Sequence, residues 1–359
     1  MNFISQGSYG CVYSSKRNRN NRHNKITTVS KIQIVQDIDK ETMLGEIIQK
    51  IFQYESYFAP ILETHPIDIG IIQKKESTQC NILKSNNNSI KERYINSKIR
   101  YVGNHFLDNF IYNKVESNDQ RNSIFDTHLH ILKGIQKLIE LTDPIIHHDI
   151  KNKNILMDKL YDIPIIIDFG LSFTKKELDE SFVDDKKITT FFFPYKLYIP
   201  WTIEFTLLSY LVNNIILKQK NHINIHIDKI DKHVSLLVNI IHQFVKENFI
   251  FINNHNYINK KVEFINRMEH YIESFRTKTI HDLIQDLSKN WKSWDNYSVA
   301  IMFYNIIENF TKNDFKLKKD HYIQLYQQLL LDIILSTPNI IRLIPIDTYE
   351  SILLFVKIK

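Results

Sequence analysis

The stretch "IIHHDIKNKNIL", Ile145–Leu156, decides how this chain is read. It sets Asp149, Lys151 and Asn154 in a short polar run between apolar ends. Before it, "SIFDTHLHILKGIQKLIEL" repeats apolar residues at helical intervals: Ile131, Leu132, Ile135, Leu138 and Ile139. Pro144 ends that helix. After it comes an apolar strand, "PIIID", that ends in Asp168 and continues into Phe169 and Gly170. Helix, polar loop, strand and aspartate thus follow in order, with oxygen-bearing side chains at loop and strand ends. Asp and Asn oxygens suit hard cations. A lysine beside them neutralises phosphate. Phosphoryl transfer needs these parts: a group that orients a hydroxyl, metal ligands, and a cation on the transferring group. A lone D-x-K is more often a solvated surface pair, so the reading rests on the whole ordered pattern.

Composition bounds the rest. The 359 residues allow one large domain or two lobes. Hydrophobic residues make up 43%, so a packed core is expected rather than disorder. No run, "SILLFVKIK" included, approaches the roughly 18 apolar residues of a membrane span. No charged-then-apolar leader is read at the N-terminus. No membrane partner and a cytoplasmic location are therefore expected. Cys11 and Cys80 are the only cysteines, so no disulfide framework is expected and a reducing compartment fits. The net charge of +6 is a modest basic excess. No basic run is interleaved with aromatics, so nucleic acid is not expected as a partner. Ile, Lys and Asn abound while alanine occurs only as Ala59 and Ala300, which suggests an AT-rich genome.

Along the chain, "NFISQGSYGCVYSS" reads as two strands around a glycine turn. The polar loop "KRNRNNRHNK" leads to a third, β-branched strand, "ITTVSKIQIV". "DKETMLGEIIQKIF" has helical spacing, with Leu44, Ile47, Ile48 and Ile51 on one side. Residues 54–115 mix short strands with the loop "KSNNNSIKER". Beyond "PIIIDFG" the chain is mostly helical, and no repeat of fixed period is present. The fold class is α+β, with a small strand-rich N-terminal part and a larger helical C-terminal part.

The pattern H-x-D-I-K-x-x-N-I-L, followed by D-F-G after an apolar strand, resembles the catalytic loop and metal-binding segment of protein kinases. "SQGSYGCVY" is similar to the kinase glycine-rich loop, with Ser5 in place of the first glycine. Amides around Gly7 and Gly10 can approach phosphates because no Cβ intrudes. "TVSK" resembles the V-A-I-K strand. The resemblance implies a two-lobed protein-kinase fold that uses ATP and Mg²⁺. Asp149 would orient the substrate hydroxyl and take its proton, and Lys151 would stabilise charge on the γ-phosphoryl group. Asn154 and Asp168 would hold the metals. Lys31 would hold the α- and β-phosphates, paired with a helix glutamate; Glu46 fits best and Glu41 is the other candidate. Ile4, Ser5, Gln6, Gly7, Ser8, Tyr9, Gly10, Cys11 and Val12 would cover the nucleotide.

Further matches extend the resemblance through the helical part. "WDNYSVAIMFYNII" is similar to the central helix of the kinase C-lobe, where Asp295 would bind backbone amides of the catalytic loop. "LLLDIILSTPNIIRLIP" is similar to the last helical segment, where Arg342 would pair with a glutamate closing the activation segment. No A-P-E sequence is present; "FFFPYKLYIPWTIE" holds its place, with Glu204 as the substitute. The expected division is an N-lobe at 1–108, a first part of the C-lobe at 109–205, a helical insertion at 206–289 and the rest of the C-lobe at 290–359. Within the insertion, "HVSLLVNIIHQFVKENF" puts Leu237, Ile240, Ile241 and Phe244 on one face. Its histidines, His222 and His226 among them, read as solvated side chains rather than a metal site. The long insertion before "WDNYS" looks like the divergent serine/threonine kinases of nucleocytoplasmic large DNA viruses, which implies a viral protein of host cytoplasm or virion.

The function these residues and the resemblance imply is an ATP-dependent serine/threonine protein kinase. Lys151 stands where serine/threonine kinases carry lysine. The expected partner is a protein substrate, a basic one being attracted by the acidic run Glu177–Asp185, and the expected state is a monomer. His148 precedes the catalytic aspartate where regulated kinases carry arginine, so phosphorylation at Thr189 or Thr190 is not expected to be required. One alternative is a small-molecule kinase of the aminoglycoside or choline type, a family that typically lacks Lys151. Another is an ATP-binding pseudokinase scaffold. The missing first glycine and missing A-P-E sequence favour it, while Lys31, Asp149, Asn154 and Asp168 oppose it.

Overall fold

The computed structural model describes residues 2–6, 10–14, 28–34, 38–68, 70, 72, 77–84, 94–113, 117–158, 160–182, 197–217, 225–248, 258–313 and 319–338. These fall into two compact units, one of residues 1–107 and 153–172, the other of 108–152 and 173–359.

The first unit is built on an antiparallel sheet. Its strands are β1 (Asn2–Gln6), β2 (Gly10–Ser14), β3 (Thr28–Ile34), β5 (Ile61–Ile67) and β6 (Tyr94–Arg100), in the order β1-β2-β3-β6-β5. Register places Lys31 opposite Val12 on one side and Ser97 on the other. Helix α1 (Ile38–Ile48) packs on β5, and Gly45 sets how closely. A side chain at Gly45 would collide with the carbonyl of Ile61. That contact fixes the helix's rotation, so Ile38, Glu41, Leu44 and Ile48 turn inward. Burying Leu44 and Ile48 contributes about 1.5–3 kcal/mol each. A short helix, α2 (Asn81–Lys84), follows Cys80. A second sheet, β4-β9-β8, joins Phe58–Ala59 (β4), Ile163–Ile167 (β9) and Ile155–Asp158 (β8).

The cysteines overturn the reading made from their count. Cys11 and Cys80 form a disulfide, with Cα atoms 6.0 Å apart across a sequence separation of 69. Both are fully buried, in a cluster with Tyr13, Ile32, Ile72 and Tyr94. A count of two says nothing about distance in space. The strand β2 and the turn before α2 bring the pair together, and the cysteine-based argument for a reducing compartment falls with it.

The second unit is helical. It contains α3 (Leu107–Tyr112), α4 (Ser117–Ile139), α5 (Lys175–Ser181), α6 (Ile203–Tyr210), α7 (Val234–Asn248), α8 (Ile258–Glu273), α9 (Ile280–Ser288), α10 (Trp294–Asn313) and α11 (His321–Ile334). One small ribbon pairs β7 (Ile145–Ile146) with β10 (Phe173–Thr174). The core sits around α10, which carries buried apolar residues on every side, among them Tyr297, Ala300, Phe303 and Ile307. It packs on α4 and α11. Starts are set by caps: Thr174 and Glu177 form a capping box on α5, Thr279 and Asp282 one on α9, and Asp320 caps α11. In α7 the stripe Leu237, Ile240, Ile241 and Phe244 is buried, and the helix packs on α8. The expected boundary between 205 and 206 falls inside α6, whose residues 203–209 are all buried and which runs on as π-helical turns at Leu211–Ile216. Among the described residues no helix is long and apolar enough to cross a membrane.

Candidate active site

In the first unit Lys31 is the centre of a buried polar cluster. Its Nζ donates to Glu41 Oε1 and Oε2 at 3.1 and 3.2 Å and to Asp168 Oδ1 at 3.0 Å. Gln33 Nε2 also donates to Glu41 Oε2, at 3.3 Å. Burial works against the ammonium, but the Asp168 and Glu41 carboxylates outweigh it and raise the Lys31 pKa. Gly10 makes room for this lysine. It lies opposite Gln33 in the β2–β3 pair, and a Cβ there would sit 3.2 Å from Lys31 Cγ. Asn154 stands just before β8 and Asp168 just after β9. Because Ile155 pairs with Ile166, these two oxygen donors lie at the same end of one antiparallel pair. Asp168 adopts a left-handed backbone, φ 65°. The next residue, Phe169, is buried and meets Phe58 edge-on at 6.1 Å.

In the second unit the polar loop after α4 is held from beneath by α10. The buried Asp295 carboxylate accepts the backbone N–H of His147 at 2.7 Å and of His148 at 2.8 Å. Burial pushes the Asp295 carboxyl pKa up, partly countered by His147 and those two amides. His148 sits at φ 65°, a conformation costing of order 1–3 kcal/mol for a residue with a side chain. Its surroundings hold it there. The imidazole stacks on Trp201 at 4.8 Å and meets Phe205 and Phe173, and Trp201 Nε1 donates to its carbonyl at 3.1 Å.

The next residue is Asp149, buried, with Lys151 Nζ donating to its carboxylate oxygens at 2.9 and 2.8 Å. Tyr198 completes the group. Its hydroxyl donates to Asp149 Oδ1 at 2.6 Å and accepts from Lys151 Nζ at 3.0 Å. Burial, and after it the Asp149 contact, pushes the Tyr198 phenol up to about 12. Burial lowers the Lys151 pKa, but its bonds to Asp149 and Tyr198 raise it on balance. A groove of about 590 Å³ opens beside Lys151 and Tyr198, floored by Ile150, Ile301, Met302 and Phe310.

The helix glutamate needs correction. Glu46, the better candidate by sequence, is exposed, and Glu41 is the partner of Lys31. The reason is phase: five residues separate them, which puts Glu46 on the far side of a helix pinned at Gly45. Gly7, Ser8 and Tyr9 of the expected nucleotide loop lie outside the described residues, as do Arg342, Thr189 and Thr190. Ile4, Ser5 and Gln6 belong to β1, and Cys11 and Val12 to β2, with Cys11 in the disulfide. Glu204 is wholly buried in the first turn of α6. Sequence reading missed Gln33 and Tyr198. Gln33 carried a usable signal, since it shares a strand face with Lys31 two residues on. Tyr198 carried none, lying in a stretch without a motif.

Comparison with known proteins gives one short match. The chain is 57% identical over 51 residues to the "Probable serine/threonine-protein kinase samkA" of Dictyostelium discoideum. The match covers 14% of this chain and 8% of that relative's length. No family model matches the chain. The α+β architecture, a small sheet region followed by a helical part, is compatible with a kinase fold, and the short match supports a relationship to protein kinases.

Proposed function

We propose that this chain is a serine/threonine protein kinase that transfers the γ-phosphoryl group of ATP with Mg²⁺. The observation that carries the proposal is the Lys31–Glu41–Asp168 cluster, a buried cation fixed by two carboxylates beside a glycine strand. The short kinase match supports it.

Each half of the chemistry has residues suited to it. Lys31, immobilised by Glu41, offers a fixed positive charge to phosphate oxygens. Asn154 and Asp168 fit Mg²⁺ by donor chemistry, since both offer hard oxygens at the same end of β8–β9. Among the described residues no group of three or more His, Cys, Asp or Glu side chains could hold a metal ion. Bound Mg²⁺ neutralises charge on the phosphates. Asp149 receives the proton of the acceptor hydroxyl, and Lys151 stabilises charge on the transferring group. Asp295 keeps the loop backbone in the one conformation that presents Asp149. The acceptor residue belongs to a protein segment seated in the groove beside Tyr198.

The test is incubation of purified protein with labelled ATP, Mg²⁺ and a mixture of basic proteins, followed by phosphoamino-acid analysis. Phosphoserine and phosphothreonine are expected. Nucleotide binding without transfer would leave only a scaffold role.

A further inference from the structure

We propose that Gln33 is a positioning residue for the Lys31 ammonium and acts on it through Glu41. This deepens the phosphotransferase reading above and rests on it. Every residue it needs belongs to the first unit.

The Glu41 carboxylate meets two donors from one strand. Lys31 Nζ donates to both of its oxygens, and Gln33 Nε2 donates to Oε2 at 3.3 Å. Both donors stand on the same face of β3, two residues apart. Gly10 on β2 leaves room for the pair. A Cβ there would lie 3.2 Å from Gln33 Cβ as well as from Lys31 Cγ. The partner sets the direction of the amide: a carboxylate only accepts, so the NH₂ faces Glu41 and Oε1 faces away. Glu41 is 5% exposed and Gln33 6%, so water screens the contact little.

Lys31 has two carboxylate anchors, Glu41 and Asp168. The proposed reaction asks Asp168 to hold the metal, which leaves Glu41 as the anchor that serves Lys31 alone. The Glu41 carboxylate turns on a flexible stem unless a second donor fixes it, and Gln33 is that donor. The glutamine works against packing. Its Oε1 is buried with no hydrogen-bond partner among the described residues. An apolar side chain of similar length would fill the same space and orphan no oxygen. Burial therefore does not account for an amide at this position, whereas the contact with Glu41 does.

The experiment uses the full chain as wild type, Gln33→Leu, Glu41→Ala and Gln33→Leu/Glu41→Ala, with Gln33→Met as a second apolar variant. Steady-state transfer to casein is measured at varied Mg-ATP and at varied casein, beside the melting temperature. In Gln33→Leu, kcat/KM for ATP should fall about tenfold, the measure of one hydrogen bond to a charged group. The KM for casein should not move, and the melting temperature should hold level or rise. In the Glu41→Ala background, Gln33→Leu should have no further effect. A loss of transfer that follows a lowered melting temperature in both apolar variants would make Gln33 a structural residue and overturn the inference. Undiminished kcat/KM in a folded variant, or an equal loss in the Glu41→Ala background, would also overturn it. Each of these leaves the kinase reading standing, whereas no transfer by the wild type removes both. A nucleotide-free readout follows the lysine itself, by acylation with an N-hydroxysuccinimide ester mapped by mass spectrometry. Lys31 should react more slowly than exposed Lys50 in the wild type and gain reactivity in Gln33→Leu. Equal Lys31 rates in wild type and variant would overturn the inference.

Discussion

The Asp295 carboxylate on α10 takes the backbone N–H groups of both His147 and His148, at 2.7 and 2.8 Å. It bonds the backbone at His148, which has a left-handed φ of 65°. In Asp295→Asn, one amide oxygen remains to accept, while the new NH₂ faces a second donor. Leaving that buried N–H unsatisfied costs about 1–3 kcal/mol. Urea denaturation should show a loss of that size, with reduced phosphoryl transfer. Unchanged stability would mean that α10 does not brace the loop.

Glu41 and Glu46 should separate cleanly. Glu41→Gln weakens a charge-assisted contact to Lys31 worth about 1.5–3 kcal/mol, equivalent to roughly ten- to a hundredfold in nucleotide affinity or transfer. Exposed Glu46→Gln should stay within about 0.5 kcal/mol in stability, with transfer unchanged. Steady-state kinetics on both variants decide it. A larger loss in Glu46→Gln would contradict the helix phase described above.

This pair also marks where sequence reading stops. The loop and strand residues Asp149, Asn154 and Asp168 were legible because polar groups in a fixed order stand out between apolar runs, and Lys31 through the resemblance of "TVSK" to a kinase strand. Strands β1 to β3 and helices α4 and α7 were legible from local pattern and periodicity, and α10 from its resemblance to a kinase helix. The phase of α1 was not, because Gly45 packing on the Ile61 carbonyl sets it, a contact between segments. The Cys11–Cys80 bond and the Tyr198–Asp149 contact were hidden for the same reason: each joins residues far apart in the chain, with no local pattern announcing the partner.

His128 makes stability depend on acidity. It is buried on α4, stacked on Phe303 at 4.4 Å, with Nδ1 bonded to the Tyr326 hydroxyl. Burial lowers its pKa from 6.5 to about 3. The unfolded chain therefore binds this proton first as pH falls. The contribution is fully present above about pH 6.5 and is lost progressively toward about pH 3, with a slope of up to about 1.4 kcal/mol per pH unit. Unfolding free energies measured across that range should fall less steeply in His128→Gln. An identical slope in the variant would assign the acid sensitivity elsewhere.

The Cys11–Cys80 bond should support the first unit. Removing a native disulfide typically costs about 2–5 kcal/mol. Cys11→Ala/Cys80→Ala, or thiol reduction of the wild type, should lower the melting temperature under otherwise equal conditions. No shift on either treatment would mean that the bond adds nothing to stability.

In the proposed reaction Asp149 acts on the acceptor hydroxyl while the Lys31 cluster holds the nucleotide. Single-turnover transfer from labelled ATP, measured beside nucleotide binding in the wild type and Asp149→Ala, separates the two roles. Transfer should fall roughly 10²–10⁴-fold, the usual cost of losing a general base, while ATP binding is retained. Transfer at the wild-type rate in Asp149→Ala would mean that Asp149 is not the base.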